Sequence, residues 1–320
     1  MKLIDLYNTA IEAGMENDLR TKEQIEQYLQ TYKEKFKSLK DEEKEFFDPL
    51  LAQHPFADSR ILNGDGQTDV QAILIGIDIS SAEVILADRL REKGRRVDAI
   101  MSHHPSARAW AQFYEVMDMQ ADILGRLGAN SVSAQNLMAK RQGEVKRKVM
   151  PANHFQALDA AKLLGLPWLC IHTPADNCVV RFLTNLFEEK RPKKLKEVID
   201  ILMDIEEYKE GARRGCGPVI LCGDKNGRAG KVSIDMTGGT EGPVDFFDMA
   251  QKAGVGTIIG MHFSEAHFKK AKEVGINLVI AGHIPSDTLG MNLMLDYVEK
   301  KHGRIETIDC SGFYRIIRNG

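Results

Sequence analysis

The sequence predicts an α/β protein of two related halves with mixed or parallel sheets, together with an N-terminal helical extension and a helical insertion. From residue 70 onward, short apolar, β-branched segments alternate with amphipathic helical segments, a pattern typical of parallel sheets. Residues 92–106 and 272–286 are similar, because in both a helix end with glycine precedes an apolar strand, a histidine and a proline. The first 50 residues and the middle of the chain have helical periodicity.

Length and composition narrow the classes of protein to consider. The 320 residues are 43% hydrophobic and 28% charged, enough for one large core or two of moderate size. A net charge of −3 provides no field that would recruit nucleic acid. The sequence has no long apolar run, and its N-terminus turns polar too quickly for a signal peptide. With five cysteines and no Cys-x-x-Cys pair, these features predict a cytoplasmic protein with reduced thiols and no membrane partner.

The domain organisation follows from changes in periodicity along the chain. Apolar residues such as Ile25, Leu29 and Phe36 recur at helical spacing, which predicts an amphipathic N-terminal extension over residues 1–55. We expect residues 56–320 to form a two-halved α/β metal-binding domain. Its middle, at about residues 107–212, is rich in helical patterns.

The first half begins with a strand at 70–79, a helix at 81–93 and a strand at 97–101, which together predict a βαβ unit. Four helical segments follow, at 107–127, 131–148, 153–164 and 178–212. One apolar strand lies among them, at 168–171. The second half is predicted to begin with a hairpin of strands 219–222 and 229–235 around the turn 223–227. Later elements are predicted at 243–253 (helix), 256–259 (strand), 264–274 (helix), 277–281 (strand) and 286–301 (helix), before a short terminal strand.

Three of the predicted strands end in residues that bind metals. These ends are His103-His104, His172 followed by Asp176, and His283 followed by Asp287. Because side chains beyond the carboxyl ends of parallel strands meet in one crevice, we expect these groups to converge. Imidazole and carboxylate are ligands of zinc, manganese, iron and nickel. A single histidine at a strand end is more often structural, but its repetition at three strand ends favours a shared site.

The adjacent histidines suggest more than one ion. Successive residues of an extended segment point in opposite directions, and Pro105 favours an extended His104. His103 and His104 therefore suit two different divalent ions. We expect Asp176 to bridge the ions and Asp287 to act as a terminal ligand beside His283.

At these residues the chain resembles the Ngg-interacting-factor-three-like family, often labelled GTP cyclohydrolase I type 2 homologues. The matching segments are Gly76-Ile-Asp-Ile-Ser80, Asp98-Ala-Ile-Met-Ser-His-His-Pro105, His172-Thr-x-x-Asp176, Gly227-Arg-Ala-Gly230 and Ala281-Gly-His283 with an acid four residues later. The resemblance implies a two-halved α/β protein with two metal ions, held by His103, His104, Asp176, His283 and Asp287. It also implies assembly as toroidal hexamers. The family usually has glutamate at the position of Asp287, and its members lack the N-terminal helices, which leaves a dimer as an alternative assembly.

Several further residues are candidates for the chemistry. His172 is predicted to orient Asp176 or to contact substrate, and His172 or His267 to move a proton. His262 and Glu265 are alternative acids or bases, although polar residues at a helix start often serve only as caps. The glycine-rich segment 237–242 is either a phosphate-binding loop or an ordinary turn. Asp78 either faces the cleft or caps the next helix.

Three functions fit this site. The first is a metal-dependent hydrolase acting on a small, phosphorylated or nucleotide-like substrate, in which two ions activate water. The second is a metal-handling protein that delivers ions without turnover, and the third is an interaction scaffold with a structural metal. We rank the hydrolase first, and we expect the chain to form a homo-oligomer.

Overall fold

The computed structural model describes residues 1–126, 128 and 130–318, and it contains two β-sheets flanked by helices. Residues 127, 129, 319 and 320, which belong to the predicted range 56–320, lie outside the described residues. The described strands are β1 (Arg60–Asn63), β2 (Ala72–Gly76), β3 (Ala99–Ser102), β4 (Trp168–Cys170), β5 (Val219–Cys222), β6 (Lys231–Asp235), β7 (Val255–Gly260), β8 (Asn277–Ile280) and β9 (Glu306–Cys310).

The described α-helices connect and cover these strands. They are α1 (Leu3–Glu16), α2 (Lys22–Ser38), α3 (Asp41–Lys44), α4 (Ser81–Glu92), α5 (Ala107–Ala111), α6 (Asp118–Arg126), α7 (Ser131–Val149), α8 (Gln156–Leu163), α9 (Thr173–Lys190), α10 (Leu195–Met203), α11 (Glu206–Arg213), α12 (Phe246–Lys252), α13 (Glu265–Val274) and α14 (His283–His302). Two short 3-10 helices lie at Pro49–Ala52 and Phe113–Met117. Among the described helices, none combines the length and apolar character that crossing a membrane requires.

The first sheet has five strands in the order β1-β4-β3-β2-β9. β1 pairs with β4 in the antiparallel sense, whereas the pairs from β4 to β9 are parallel. Every residue of β2 and β3 is buried, as expected for parallel strands that are covered on both faces.

The second sheet repeats the arrangement of the first. Its order is β5-β8-β7-β6, with β5 antiparallel to β8 and the other pairs parallel. This is the order of the first four strands of the chain, and β9 is an addition to the first sheet. The predicted α/β class, with mixed sheets in two related halves, is therefore confirmed.

The topology changes which segments correspond between the halves. The predicted similarity of residues 92–106 with 272–286 matches β3 to β8, but β8 occupies the place of β4 in the strand order. The corresponding segments are thus His172-Thr-Pro-Ala-Asp176 after β4 and His283-Ile-Pro-Ser-Asp287 after β8. Several strands are followed by a histidine and a proline. The strand order of the two sheets is therefore needed to identify which two segments correspond.

The predicted hairpin between β5 and β6 is wrong. A turn does form at 224–227, where the Gly227 N–H donates to the Asp224 carbonyl. However, β5 pairs with β8 and β6 pairs with β7, so the two strands lie at opposite edges of the sheet. A local turn leaves the pairing of the strands open, and here the two inner parallel strands separate them.

The N-terminal helices differ in how they are buried. α1 contributes Leu3, Leu6 and Ala10 to the same core as β2 and β3. α2 begins with a capping box between Thr21 and Gln24 and buries only Ile25 among its described side chains. Because α1 shares the core of the first half, the described residues show no separate unit that ends at residue 55. The boundary at residue 55 therefore stays a prediction.

The largest difference between the halves lies between their third and fourth strands. Helices α5 to α8 connect β3 with β4, whereas α13 alone connects β7 with β8. The helical insertion therefore lies where the first half faces the predicted site. The last helix begins at His283 and not at the predicted Ser286, because Gly282 with φ +110° turns the chain directly into α14.

Candidate metal centre

The strand ends bring the five predicted ligands together. β3 and β4 are in parallel register, with Ser102 opposite Cys170, so His103 and Asp176 follow neighbouring strand ends. His283 and Asp287 lie on the first turns of α14, which packs against α9. The two helices approach closely at Gly290, where a Cβ atom would lie 2.4 Å from the Ala175 carbonyl oxygen. This helix contact joins the halves at the site.

The ligand atoms form two groups that share one carboxylate. In the first group, His103 Nε2 lies 3.4 Å from Asp176 Oδ1 and 3.5 Å from Asp287 Oδ1. In the second group, Asp287 Oδ2 lies 3.4 Å from His104 Nε2 and 3.5 Å from His283 Nε2. Each group has its ligand atoms within 4.8 Å of one another. The His/Asp cluster could therefore hold metal.

Asp287, rather than the predicted bridging residue Asp176, lies close to both groups. Asp287 directs one oxygen to each group, whereas the Asp176 carboxylate lies beside His103 and His172. Asp287 follows its histidine within a helix that points between the groups, so it occupies the central position. The sequence placed both carboxylates four residues after a histidine and contained nothing to rank them.

Several ligand atoms are buried without a hydrogen-bond partner. These atoms are His103 Nε2, Asp176 Oδ1 and both carboxylate oxygens of Asp287. An unpaired buried polar group costs about 1–3 kcal/mol, and more if it is charged. Four such atoms within the two groups are consistent with a site that could hold a cation.

The second nitrogen of each inner histidine is already bonded. His103 Nδ1 donates to the Ile171 carbonyl oxygen at 3.1 Å, and His104 Nδ1 donates to Asp78 Oδ1 at 2.7 Å. Both rings are therefore oriented with Nε2 toward the shared Asp287. Histidine ligands of metals are typically held in this way by a second hydrogen bond.

The electrostatics favour positive charge at the centre. Burial alone would lower the pKa of His103, but the Asp287 and Asp176 carboxylates raise it well above its ordinary value. Burial also opposes the shift of His104, whose pKa rises to about 9 because the carboxylates of Asp287 and Asp78 lie close to its ring. Burial would raise the pKa of Asp287, but the surrounding histidines lower it strongly. His283 differs, because burial lowers its pKa.

His172 lies beside the two groups. One ring nitrogen of His172 lies within 4.8 Å of ligand nitrogens of both His103 and His104. Its Nδ1 donates to Asp58 Oδ2 at 2.8 Å, and Thr173 Oγ1 donates to the same oxygen at 2.6 Å. Burial would raise the pKa of Asp58, but its bonds to His172 and Thr173 lower it. Asp58 thus fixes the ring and leaves Nε2 available to the cavity.

The centre opens into a cavity of about 640 Å³. Five carboxylates line the cavity, namely Asp78, Asp176, Asp235, Glu241 and Asp287. The described lining includes neither lysine nor arginine. Trp110 and Phe113, from the helical insertion, form an aromatic wall, and Phe113 packs edge-on against His172. The cavity is therefore acidic outside the centre, with one aromatic side.

The other predicted candidates lie outside the ligand groups. His267 is bound through Nδ1 to Glu241 at 2.6 Å and donates through Nε2 to the Gly242 carbonyl at 3.0 Å, so both nitrogens are engaged. His262 lines the cavity, 3.2 Å from Glu241, with its ring 4.9 Å from that of His283. Glu265 is exposed and pairs with Lys269.

The glycine-rich segment 237–242 forms part of the cavity wall. Gln120 Nε2 donates to the carbonyl oxygens of Gly238 and Thr240 at 2.8 and 2.7 Å, which fixes the loop from behind. Gly238 and Gly239 have positive φ, a backbone conformation that residues with a side chain rarely adopt. The loop carries Glu241 into the cavity, and an acidic side chain beside it disfavours the predicted phosphate-binding role.

Sequence reasoning missed some residues of the site. Asp58 precedes an edge strand and is 114 residues from His172, so no local motif connects them. Trp110 and Phe113 lie in short helices whose packing direction periodicity does not reveal. Only Asp78 could be found from sequence, because it follows a buried strand directly.

Comparison with known proteins supports the fold. No protein-family model and no curated protein matches this chain. A solved NIF3 superfamily protein from Sphaerobacter thermophilus matches at a TM-score of 0.68 and 27% identity, covering 80% of this chain and 91% of that one. Reduced HcgD from Methanocaldococcus jannaschii matches at a TM-score of 0.45 and 14% identity, covering 78% and 87% respectively.

A Bacillus cereus protein related to NIF3 matches at a TM-score of 0.43 and 10% identity, covering 78% of this chain and 90% of that one. The Sphaerobacter thermophilus match supports the family part of the sequence resemblance and leaves its cyclohydrolase label unsupported. The shared fold extends over 80% of this chain. The similarity to the Sphaerobacter thermophilus protein supports the NIF3 superfamily as the family of this chain.

Proposed function

We propose that this protein is a metal-dependent hydrolase with a dinuclear centre. His103 and Asp176 would hold one divalent ion, His104 and His283 the other, and Asp287 would be shared. The observation that carries this proposal is the set of buried ligand atoms without hydrogen-bond partners, which lie in two adjoining groups. A purely structural cluster would pair these atoms with one another or with backbone groups.

The donor set fits borderline divalent metals. Three imidazole nitrogens and two carboxylates suit zinc, manganese, iron or nickel, and they are a poor match for calcium or magnesium. Divalent ions bound here would lower the pKa of a bound water and polarise a substrate oxygen. His283 is 40% exposed, so the second group lies open to the cavity.

His172 is the proposed proton-transfer residue. Its Nδ1 is held by Asp58, so Nε2 can accept or donate a proton at the cavity face of the centre. His267 is not included in this proposal, because both of its ring nitrogens are engaged. Asp58 acts by positioning, since it holds the His172 ring and not the substrate.

The cavity lining supports an uncharged or cationic substrate. Asp78, Asp235 and Glu241 lie outside the two ligand groups and would repel a polyphosphate chain. Trp110 and Phe113 offer flat surfaces for a ring. A small cyclic amide, amidine or ester therefore fits better than a nucleotide, although a single phosphoryl group could still bind at the ions.

Metal content tests the centre directly. We expect full-length protein from its native host to contain about two equivalents of metal by elemental mass spectrometry. His103→Ala and His283→Ala should each lose about one, because they belong to different groups. His262→Ala is the matched control, since this cavity histidine bonds Glu241 and should leave metal content unchanged. Metal-free protein, or equal metal in every variant, would overturn the proposal.

Turnover tests the reaction. Metal-loaded protein should hydrolyse members of a panel of cyclic amides, amidines and esters faster than nucleoside triphosphates or phosphate monoesters. His172→Gln should keep its metal and lower kcat by about ten- to a hundredfold. Metal that passes to an acceptor chelator without any turnover would instead identify a metal-delivery protein.

The assembly and domain division remain proposals beside the catalytic one. A homo-oligomer, either a dimer or a hexamer, is supported by exposed apolar side chains such as Phe46 (80% exposed) and Leu163 (88% exposed). The proposed units are the helical extension 1–55 and the two-halved metal-binding domain 56–320. Light scattering of the full chain, compared with a chain lacking residues 1–55, tests both.

A further inference from the structure

A second cavity lies on the opposite side of β6 from the metal centre. Its volume is about 830 Å³, and its walls are formed by α6, α9, β6 and the segment 242–246. Asp235, Met236 and Thr237 line both cavities, so the end of β6 and the loop after it separate them. The volume lies within the range of about 300–1,000 Å³ that is typical of small-molecule sites.

The charge of this cavity is opposite to that of the metal cavity. Four cationic side chains line it, namely Arg126, Arg181, Arg191 and Lys231, against two carboxylates, Glu188 and Asp235. Burial raises the pKa of Asp235 to about 6, so this carboxylate is still mostly ionised near neutral pH and the four cations outnumber the two carboxylates. The cavity therefore has an excess of positive charge.

These cations are not neutralised by ion pairs. Within the described part of the chain, none of the four lies within salt-bridge distance of a carboxylate. Arg181 donates to the Asp18 carbonyl oxygen and Arg191 to the Glu188 carbonyl oxygen, contacts that orient a guanidinium without cancelling its charge. Most other arginines of the chain have a carboxylate partner.

The interior of the cavity is apolar. Val232 and Ile234 are two residues apart on β6, so their side chains point to the same face. Phe187 on α9, Leu124 on α6 and Phe246 add further apolar surface. A ligand here would place an apolar body against the sheet and a charged group among the cations.

We propose that this cavity binds a small anionic amphiphile, a molecule with a carboxylate or phosphate head and an apolar body. Arg181 on α9 and Lys231 on β6 both line the cavity and would contact the head group. The site is separate from the proposed catalytic one, whose lining lacks lysine and arginine among the described residues.

The test uses full-length, metal-loaded protein and the anionic apolar dye 1-anilinonaphthalene-8-sulfonate. We expect saturable binding at one site, reported by dye fluorescence. Octanoate or octyl phosphate should displace the dye at least about tenfold better than octylamine or octanol, because only the anions match the cations. The better of the two anions identifies the head group.

Variants locate the site. Arg181→Gln and Lys231→Gln should each weaken dye binding by about tenfold, while metal content stays at the wild-type level. Lys252→Gln is the matched control, because Lys252 is exposed on α12 and does not line the cavity. Non-saturable binding, displacement that ignores charge, or equal affinity in all variants would overturn the proposal.

Discussion

The segments that follow β4 and β8 share a pattern but differ in what they do. In each, histidine, proline and aspartate occur at the same spacing, as His172-Thr-Pro-Ala-Asp176 and His283-Ile-Pro-Ser-Asp287. Each begins the long helix after the fourth strand of its sheet. The two halves therefore supply the site from equivalent positions.

The equivalent side chains have different environments. His172 is buried and bonded to Asp58, whereas His283 is 40% exposed and has its nearest carboxylate in Asp287. Asp176 contacts the first ligand group only, whereas Asp287 contacts both. The two halves thus present two copies of one motif, and neighbouring residues place only the copy after β8 beside both groups.

The strongest test of this asymmetry exchanges each aspartate for asparagine. We expect Asp287→Asn to lose about two equivalents of metal and Asp176→Asn about one, because only Asp287 touches both groups. Hydrolytic activity, if present, should fall by at least about a hundredfold in Asp287→Asn. Elemental mass spectrometry and thermal unfolding of both variants provide the measurement.

Asparagine preserves the shape of aspartate, so both variants should fold, and circular dichroism checks that they do. Equal metal loss in the two variants would show that the halves contribute equally. Greater loss in Asp176→Asn would restore the bridging role that the sequence predicted for Asp176.

The sequence was sufficient for the class of fold and for the ligand types. Continuous apolar strands such as Ala72–Gly76 are visible in the sequence because parallel strands are buried on both faces. Once these strands are recognised, the histidines that directly follow them can be identified in the sequence. The five residues predicted as ligands all lie in clusters that could hold a metal ion, and His172 is a sixth member of those clusters.

Features that depend on distant parts of the chain could not be read from local patterns. The pairing of β5 with β8 joins strands separated by more than 50 residues, so the turn at 224–227 gave a misleading hairpin. The bond between Asp58 and His172 likewise needs the pairing of β1 with β4. The position of Asp287 between the two groups depends on the contact between α9 and α14.

A smaller effect is expected at two glycines that receive the prolines of the repeated motif. A Cβ atom at Gly14 on α1 would lie 2.4 Å from Pro174 Cβ and 2.5 Å from its Cα. At Gly211 on α11 it would lie 2.4 Å from Pro285 Cγ, the outer end of the ring. We expect Gly14→Ala to lower the free energy of unfolding by about 3 kcal/mol and Gly211→Ala by about 2 kcal/mol, because backbone yields less readily than a ring.

Urea unfolding measures both values. Gly125→Ala is the control, since a Cβ atom there meets nothing within 4 Å and alanine favours the helix. A larger loss at Gly211 than at Gly14 would mean that α11 is packed more rigidly than α1, against this comparison.

The smallest predicted effect is a change of stability with pH, which we expect for α1 and not for α11. Tyr7 on α1 accepts a hydrogen bond from His54 Nε2 at 2.6 Å and donates to the Ser59 carbonyl, while His54 Nδ1 accepts from the Phe56 N–H. This network requires neutral His54, and burial lowers its pKa from 6.5 to about 4. Tyr208 on α11 instead bonds Ser286, which does not titrate in this range.

Between these two pKa values the unfolded chain binds more protons at His54 than the folded chain does, so stability falls as pH falls through this window. We expect the contribution of His54 to drop by about 1 kcal/mol from about pH 7.5 to about pH 5.5. The measurement is the difference in unfolding free energy between wild type and His54→Gln across this range, with Tyr208→Phe as the control. A pH-independent difference for His54→Gln would mean that folding leaves the pKa of His54 unchanged. In that case the acid sensitivity of the first half would have to come from its carboxylates.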